Sequence, residues 1–281
     1  MLVLTIFIFG AASVCASDVN DTVIASEDDS TVELSQADTE GMISSEEDEL
    51  IGQTENEIIS EGKSGTFAEL QANINAATNG STLTLNKNYE CKDGFDAEGI
   101  LINKSITIDG NGSKIDAQGK SRIFKITAEN VILKNIIFTN GKTTVHGGAV
   151  YFGMSGVVAN CNFVDNTAEQ GGAVWLISGT VTNCNFSNSH AFAGAVFFNY
   201  YGEVTNCSFI GNTASNGGAV HFYSAGNVVN CNFTSNTAYY SGAVHLQGTG
   251  SVTNCNFINN QATGEDGSGG AVRMTSGTVT N

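Results

Sequence analysis

Gly147-Gly148-Ala149-Val150, Gly171-Gly172-Ala173-Val174, Ala193-Gly194-Ala195-Val196, Gly217-Gly218-Ala219-Val220, Ser241-Gly242-Ala243-Val244 and Gly269-Gly270-Ala271-Val272 open six successive units, their starts separated by 24, 22, 24, 24 and 28 residues. Each of the five full units carries a second marker. The first is Val158-Ala159-Asn160-Cys161-Asn162-Phe163, and the others are centred on Asn183-Cys184, Asn206-Cys207, Asn230-Cys231 and Asn254-Cys255. A fixed period in this range signals a solenoid in which each unit forms one coil.

Between the markers the chain is rich in Val, Phe and Thr and alternates with period 2, which reads as strand. Val150 and Phe152 share one face, as do Val174/Leu176, Val196/Phe198, Val220/Phe222, Val244/Leu246 and Val272/Met274. This face is apolar in every unit and therefore points inward. Val158 and Cys161 are three residues apart, so a straight strand would send them to opposite faces. The Asn between them, at 160, 183, 206, 230 and 254, tolerates the left-handed backbone region, where one residue turns the chain and resets the alternation. Val158, Cys161 and Phe163 then all face inward. The Gly before Ala-Val is present in every unit and is expected to hold a positive φ at another corner. Three short strands per coil describe an all-β chain: a right-handed parallel β-helix, a pectate-lyase-like solenoid. One coil cannot stand alone. Ordering a backbone residue costs roughly 1–2 kcal/mol, and only stacking at about 4.8 Å supplies the strand hydrogen bonds and buries the column.

Met1 to Ala16 is an apolar run ending in small residues and is expected to be a secretory signal cleaved after Ala16, although no positive residue opens it. The start codon would then lie upstream. Residues 17–62 hold 15 of the 28 acidic residues and none of the 11 basic ones. The formal charge of −17 thus belongs to this segment, which is expected to be a disordered, solvated spacer. Residues 63–98 are expected to form an N-terminal cap. In it Phe67, Leu70, Ile74 and Ala77 make a helical stripe, Thr66 and Glu69 a capping box, and Ser81–Leu85 a strand. An amphipathic helix laid over the end of a β-helix protects exposed core and strand edges. Residues 99–281 form the β-helix, with looser first coils. There Ile123 lies 24 residues before Gly147, and Leu133-Lys134-Asn135-Ile136-Ile137-Phe138 matches the second marker with Ile136 in the Cys place. The repeat predicts another Cys after Asn281, so the chain reads as truncated at its C-terminus.

Gly-Gly-Ala-Val followed by Phe-x-x-Asn, seen in Phe163–Asn166, Phe209–Asn212, Phe233–Asn236 and Phe257–Asn260, is similar to the repeats of polymorphic outer-membrane proteins. The unit at Phe186 departs, ending in Ser189. With the Thr66-Phe67-x-x-Leu70 helix, Ser105-Ile-Thr-Ile-Asp-Gly-Asn-Gly112 and Ser121-Arg-Ile-Phe124, the layout from Lys63 onward resembles the adhesin-like surface proteins of methanogenic archaea. The resemblance implies a secreted protein of the cell surface or cell wall that mediates attachment to glycans or to surface proteins of another cell. It also implies an anchor to the cell wall or membrane in a part beyond Asn281. It says little about the ligand, since fold does not imply function.

Two columns stand out. Cys161, Cys184, Cys207, Cys231 and Cys255 occupy one coil position. Stacked neighbours project parallel Cβ vectors, which suits an inert ladder of buried thiols better than disulfides. No metal centre is expected from a column whose ligands do not converge, and no cofactor is implied. Tyr151, Trp175, Phe197, His221, His245 and Arg273 alternate with the inward residues and are expected to face solvent in one line. Exposed aromatics in a row mark a binding surface, and flat rings suit sugar faces. A cross-strand ladder that only stabilises the stack is the other reading.

Polysaccharide lyases and hydrolases built on such folds need clustered carboxylates or a cationic base. From Thr143 to Val272 there is no Lys or Arg, and the acids are Asp165, Glu169, Glu203, Glu265 and Asp266, none on the aromatic column. No catalytic residue is assigned, and a polysaccharide-active enzyme is the alternative to the adhesin-like scaffold. Asp109 and Asp116 are expected to serve turn geometry. Asn-x-Ser/Thr matches occur at Asn20, Asn79, Asn103, Asn111, Asn185, Asn206 and Asn232, with Asn206 expected to be shielded at its corner. A nucleic-acid partner is excluded, because the coils carry no basic patch to neutralise phosphates.

Overall fold

The computed structural model describes residues 64–265 and 269–280. The expected signal (1–16) and acidic spacer (17–62), together with Asp266, lie outside the described residues. The rest is an all-β parallel solenoid with one helix, Phe67–Ala76, at its N-terminal end. Each coil contributes three short strands, for example Val150–Phe152, Gly156–Ala159 and Asn162–Val164. The third strands stack into a nine-stranded sheet. First and second strands stack likewise and join where Val244–Thr253 runs through the turn unbroken.

Stacking is in strict register, so like residues lie over like. Val158 pairs with Val181 and Leu133, and Phe163 with Phe186 and Phe138. The rings of Phe138, Phe163, Phe186, Phe209, Phe233 and Phe257 form a continuous stack with centroids 4.8, 4.7, 4.8, 5.0 and 4.9 Å apart. Fully burying each such side chain contributes about 1.5–3 kcal/mol. In the first coils the register departs from simple counting. Phe124 lies opposite Val150, because the segment 140–149 before Val150 carries three residues more than the segment 117–123 before Phe124.

The corners explain the repeated polar residues. Asn160, Asn183, Asn206, Asn230 and Asn254 hold φ of 53°, 53°, 54°, 55° and 51°. All five are exposed, so Asn206 is not shielded as expected: the turn that frees its backbone also turns its side chain outward. The glycine reading needs correction. Among the glycines before Ala-Val only Gly194 holds a positive φ. In the other units it falls one residue earlier, on Gly147, Gly171 and Gly217, or is absent, so Gly148, Gly172, Gly218 and Gly242 lack it. Those positions are fixed by close approach instead. A Cβ on Gly148 would collide with the carbonyl oxygen of Gly172, and one on Gly218 with that of Gly242.

The N-terminal end of the stack is covered by the helix, and both ends of that helix are capped by side chains. Thr66 Oγ1 accepts from Glu69 N–H while Glu69 Oε2 accepts from Thr66 N–H at 2.8 Å, closing the capping box. Phe67, Leu70 and Ile74 are fully buried over the first coil. Gln71 pairs with the edge strand itself, accepting from Leu101 N–H at 2.7 Å and donating to Leu101 O at 3.0 Å. Lys104 Nζ donates to the helix-end carbonyls of Asn75 and Ala77, where a cation also meets the helix dipole favourably.

From residue 141 onward each coil carries an extra segment between third strand and glycine pair. These segments bridge at His146, Gln170, Ala193 and Asn216, and later form short strands at Thr213–Ala214, Thr237–Ala238 and Gln261–Ala262. Their amides donate along the stack, Gly147 to Gln170 O and Gly171 to Ala193 O. The first such segment faces a coil that closes through the short link 117–122, leaving the carbonyls of His146 and Gly147 without amide donors. Arg122, 2 % exposed, supplies them: Nε reaches His146 O and Gly147 O at 3.1 Å, and Nη2 reaches His146 O at 2.9 Å.

Candidate functional site

The predicted outward column exists with the expected strand phase. Tyr151, Trp175, Phe197, His221, His245 and Arg273 are register partners, while Val174 and Leu176 on either side of Trp175 are fully buried in the main core. Exposure of the column is the expectation that fails. Trp175 is 8 %, Phe197 3 %, His221 3 % and His245 6 % exposed, with Tyr151 and Arg273 half-buried. The extra segments lie over it. Trp175, Ala193 and Phe197 form a second small core with Tyr151 and Ile177 against it, and Trp175 Nε1 donates to Gln170 Oε1 at 3.3 Å. The rings stack in line: Tyr151–Trp175 4.9 Å, Trp175–Phe197 6.1 Å and Phe197–His221 5.0 Å, with His146 5.2 Å from Trp175. The column is therefore a covered ladder, and its middle residues offer no ring face to a ligand.

Its two histidines are costly there. Burial pushes the His221 pKa down to about 4, against a partial offset from the Asn216 backbone and Gln247. Burial, His221 and Arg273 push His245 down to about 3. Neither His221 nitrogen nor His245 Nδ1 has a partner of good hydrogen-bond geometry. The two rings meet edge to face at 4.8 Å.

At its N-terminal end the column opens into a cavity of about 250 Å³ lined by Glu98, Arg122, Lys125, Val145, His146 and Tyr151. Lys125 Nζ lies 2.8 Å and Arg122 Nη1 3.2 Å from Glu98 Oε2. The Glu98 carboxyl pKa is lowered, chiefly by the Lys125 hydrogen bond, and burial lowers that of His146. Sequence reasoning missed this cluster because Glu98 and Lys125 lie outside the regular units.

The Cys column forms a hydrogen-bonded ladder. Cys161 N–H donates to Cys184 Sγ at 3.4 Å, and the same 3.4 Å contact links Cys184 to Cys207, Cys207 to Cys231 and Cys231 to Cys255. Each Sγ–H points back to the carbonyl two residues earlier, such as Ala159 O at 3.2 Å and Thr182 O at 3.1 Å. The thiol thus satisfies a corner amide and a corner carbonyl at once. Burial raises the Cys184 pKa. Hydrogen bonding to the neighbouring Cys raises Cys207 and Cys255, and takes Cys231 up to about 12. Such thiols are poor nucleophiles.

A second polar ladder carries the Phe-x-x-Asn motif, whose role the sequence did not reveal. Asn166, Asn212 and Asn236 are fully buried. Asn212 Nδ2 donates to Phe186 O at 3.0 Å and to Asn236 Oδ1 at 2.9 Å, and Asn236 repeats this with Phe209 O and Asn260 Oδ1. Ser189 breaks the ladder, and its buried Oγ has no partner.

The remaining acids are dispersed. Asp109 Oδ1 accepts from Asn111 N–H and Asn135 Nδ2, and Asp116 Oδ1 from Gln118 N–H and Asn140 Nδ2, both serving turns. Asp165 stands at a corner with φ 56°, and Glu203 pairs in register with Thr180 and Asn227.

Comparison with known proteins bears on this arrangement. No curated protein and no solved structure gives a match. Residues 206–223 match the Chlamydia polymorphic membrane protein (Chlamydia_PMP) repeat. That stretch spans one corner Asn, one thiol, one stacked Phe, one ladder Asn, the glycine pair and one column His, so this chain carries a β-solenoid unit of the polymorphic membrane protein type.

Proposed function

We propose that the protein is a secreted, cell-surface scaffold of the adhesin-like kind, attaching to glycans or to neighbouring cells. The observation that carries this reading is the match at 206–223 together with the register of the coils around it. Ser208 lies between Asn185 and Asn232, and Val220 between Val196 and Val244. The matched unit is thus one of a run of equivalent units, and its likeness to a surface-protein repeat applies to the run. A regular solenoid presents side chains at one strand spacing along its length, which suits multivalent attachment. The test is adhesion of beads coated with the full chain to cells and to immobilised glycans, against beads coated with an unrelated acidic protein. Attachment above that control is expected; equal attachment overturns the reading.

The cavity at Glu98, Lys125, His146 and Tyr151 favours a second reading, a polysaccharide-active enzyme, because it gathers a cation, a carboxylate, an imidazole and a phenol around open space. Incubation with pectin and alginate separates the two. Release of unsaturated or reducing ends that Lys125→Ala abolishes supports the enzyme, and no release supports the scaffold.

A further inference from the structure

With the aromatic column covered, ring faces free for a ligand must lie elsewhere. Among the described residues ten large hydrophobic side chains are exposed, and four of them, Met154, Tyr200, Tyr201 and Tyr223, crowd one corner, in or just after the turn from first to second strand in three coils. Tyr200 and Tyr223 are each 60 % exposed. Equivalent turn positions in neighbouring coils carry Gly153, Ser155, Ser178, Ser224 and Gly248, so the turn itself does not demand bulk. Among the described residues neither ring stacks on another, unlike the rings of the two ladders.

A trough of about 430 Å³ runs along this corner, with Tyr200 and Met154 beside Glu129, Asn130, Ser155 and Ser178. A shallower one of about 290 Å³ continues from it across Asn130 and Ser155 towards Thr180. Such volumes lie within or just below the usual range of ligand sites.

We propose that this corner binds a neutral oligosaccharide. A pyranose offers an apolar C–H face and a rim of hydroxyls. Tyr200 supplies a flat apolar face with a polar tip, while the Asn130 amide, the Ser155 hydroxyl and the Glu129 carboxylate supply donors and acceptors along the trough. The Ser178 hydroxyl is held by Ile177 O and Tyr201 N–H. The carboxylate disfavours acidic chains. Strand addition by a peptide needs an open edge, and here the strands are paired on both sides, Gly156–Ala159 with Val131–Lys134 and with Gly179–Thr182. The site gains its biological meaning from the attachment reading but is chemically independent of it.

The full chain is titrated with neutral β-glucan, mannan and N-acetylglucosamine tetrasaccharides by saturation-transfer NMR, beside an acidic uronate tetrasaccharide and a peptide array. Saturable binding to at least one neutral set is expected. Tyr200→Ala weakens it tenfold or more, Glu129→Gln weakens it several-fold, and Tyr239→Ala, on a different edge of the coil, leaves it unchanged. Unaltered Trp175 emission in each variant reports an intact fold. No binding to any neutral set, binding to uronate or peptide alone, or equal binding by Tyr200→Ala overturns the site. If bead adhesion persists in those cases, the attachment reading stands without it. If oligosaccharide binding and its loss in Tyr200→Ala are seen while beads fail to adhere, the site stands and the attachment reading falls.

Discussion

Acid should unfold this solenoid through His221 and His245 well before its carboxylates protonate. In an unfolded chain both titrate near 6.5, and in the fold burial holds them at about 4 and about 3. A base whose pKa is depressed by folding binds fewer protons in the native state. Its stabilising contribution is therefore complete above pH 6.5 and is lost as pH falls towards the folded value. At pH 5 the unfolded state gains about 1.5 pK units on each His, or about 2 kcal/mol, so the pair costs about 4 kcal/mol relative to pH 8. Against a domain stability of about 5–15 kcal/mol that is a large share. The carboxylates with lowered pKa, Glu98 and Asp109 among them, also lose stabilisation as pH falls, but in a lower window. They stabilise above pH 4 and lose that only below it, so they do not mask the His window. Urea unfolding followed by Trp175 emission from pH 8 to 4.5 should show a slope approaching two protons between pH 6 and 4.5. His221→Phe continues the ring stack from Phe197 and removes two unsatisfied nitrogens. It should recover about half the loss at pH 5 and be no less stable at pH 8. A slope well below one proton, or an unchanged profile in His221→Phe, would refute the argument.

Other consequences are equally direct. Ser189→Asn should restore the buried ladder, with Oδ1 available to the Asn166 amide and Nδ2 to Phe163 O, and raise stability by about 1 kcal/mol in urea unfolding. Arg122→Ala leaves the His146 and Gly147 carbonyls buried without donors and Glu98 without one partner. A loss of about 3–5 kcal/mol is expected, only partly repaired by Arg122→Lys, whose single ammonium cannot span both carbonyls. Gly218→Ala drives a methyl into the Gly242 carbonyl and should cost about 3 kcal/mol or more. Cys161, Cys184, Cys207, Cys231 and Cys255 should resist alkylation in the native protein and label after denaturation without reductant; labelling that needs reductant would mean disulfides.

Much of the solenoid was legible because its residues repeat. The alternation around Val150, Val174 and Val196 fixes which side chains enter the core, and Asn160 and its equivalents mark the corner through the one backbone region they tolerate better than most. The capping box was readable from Thr66 and Glu69 alone. Burial of the outward column was not legible. Period 2 tells which side of a strand Trp175 occupies but not whether another segment lies over that side, and the covering residues His146, Gln170, Ala193 and Asn216 share no side-chain type. The glycines misled for a related reason: a position that needs positive φ and one that needs room for a neighbouring carbonyl both select Gly. Arg122 and the Tyr200 corner occur once each, so no repeat could draw attention to them. The Asn of Phe-x-x-Asn did repeat, and its invariance in four units of five was the signal available for the buried ladder.

The covered state of the column decides where ligands can and cannot bind, and Trp175 reports on it alone, being the single Trp in the chain. Iodide quenching of its emission in the full-length protein is the direct measurement. Blue-shifted emission with almost no quenching, reaching the free-tryptophan response only after denaturation, is the predicted result. Red-shifted emission that iodide quenches freely in the native protein would contradict it, and would return Tyr151, Trp175 and Phe197 to the surface as a ligand strip.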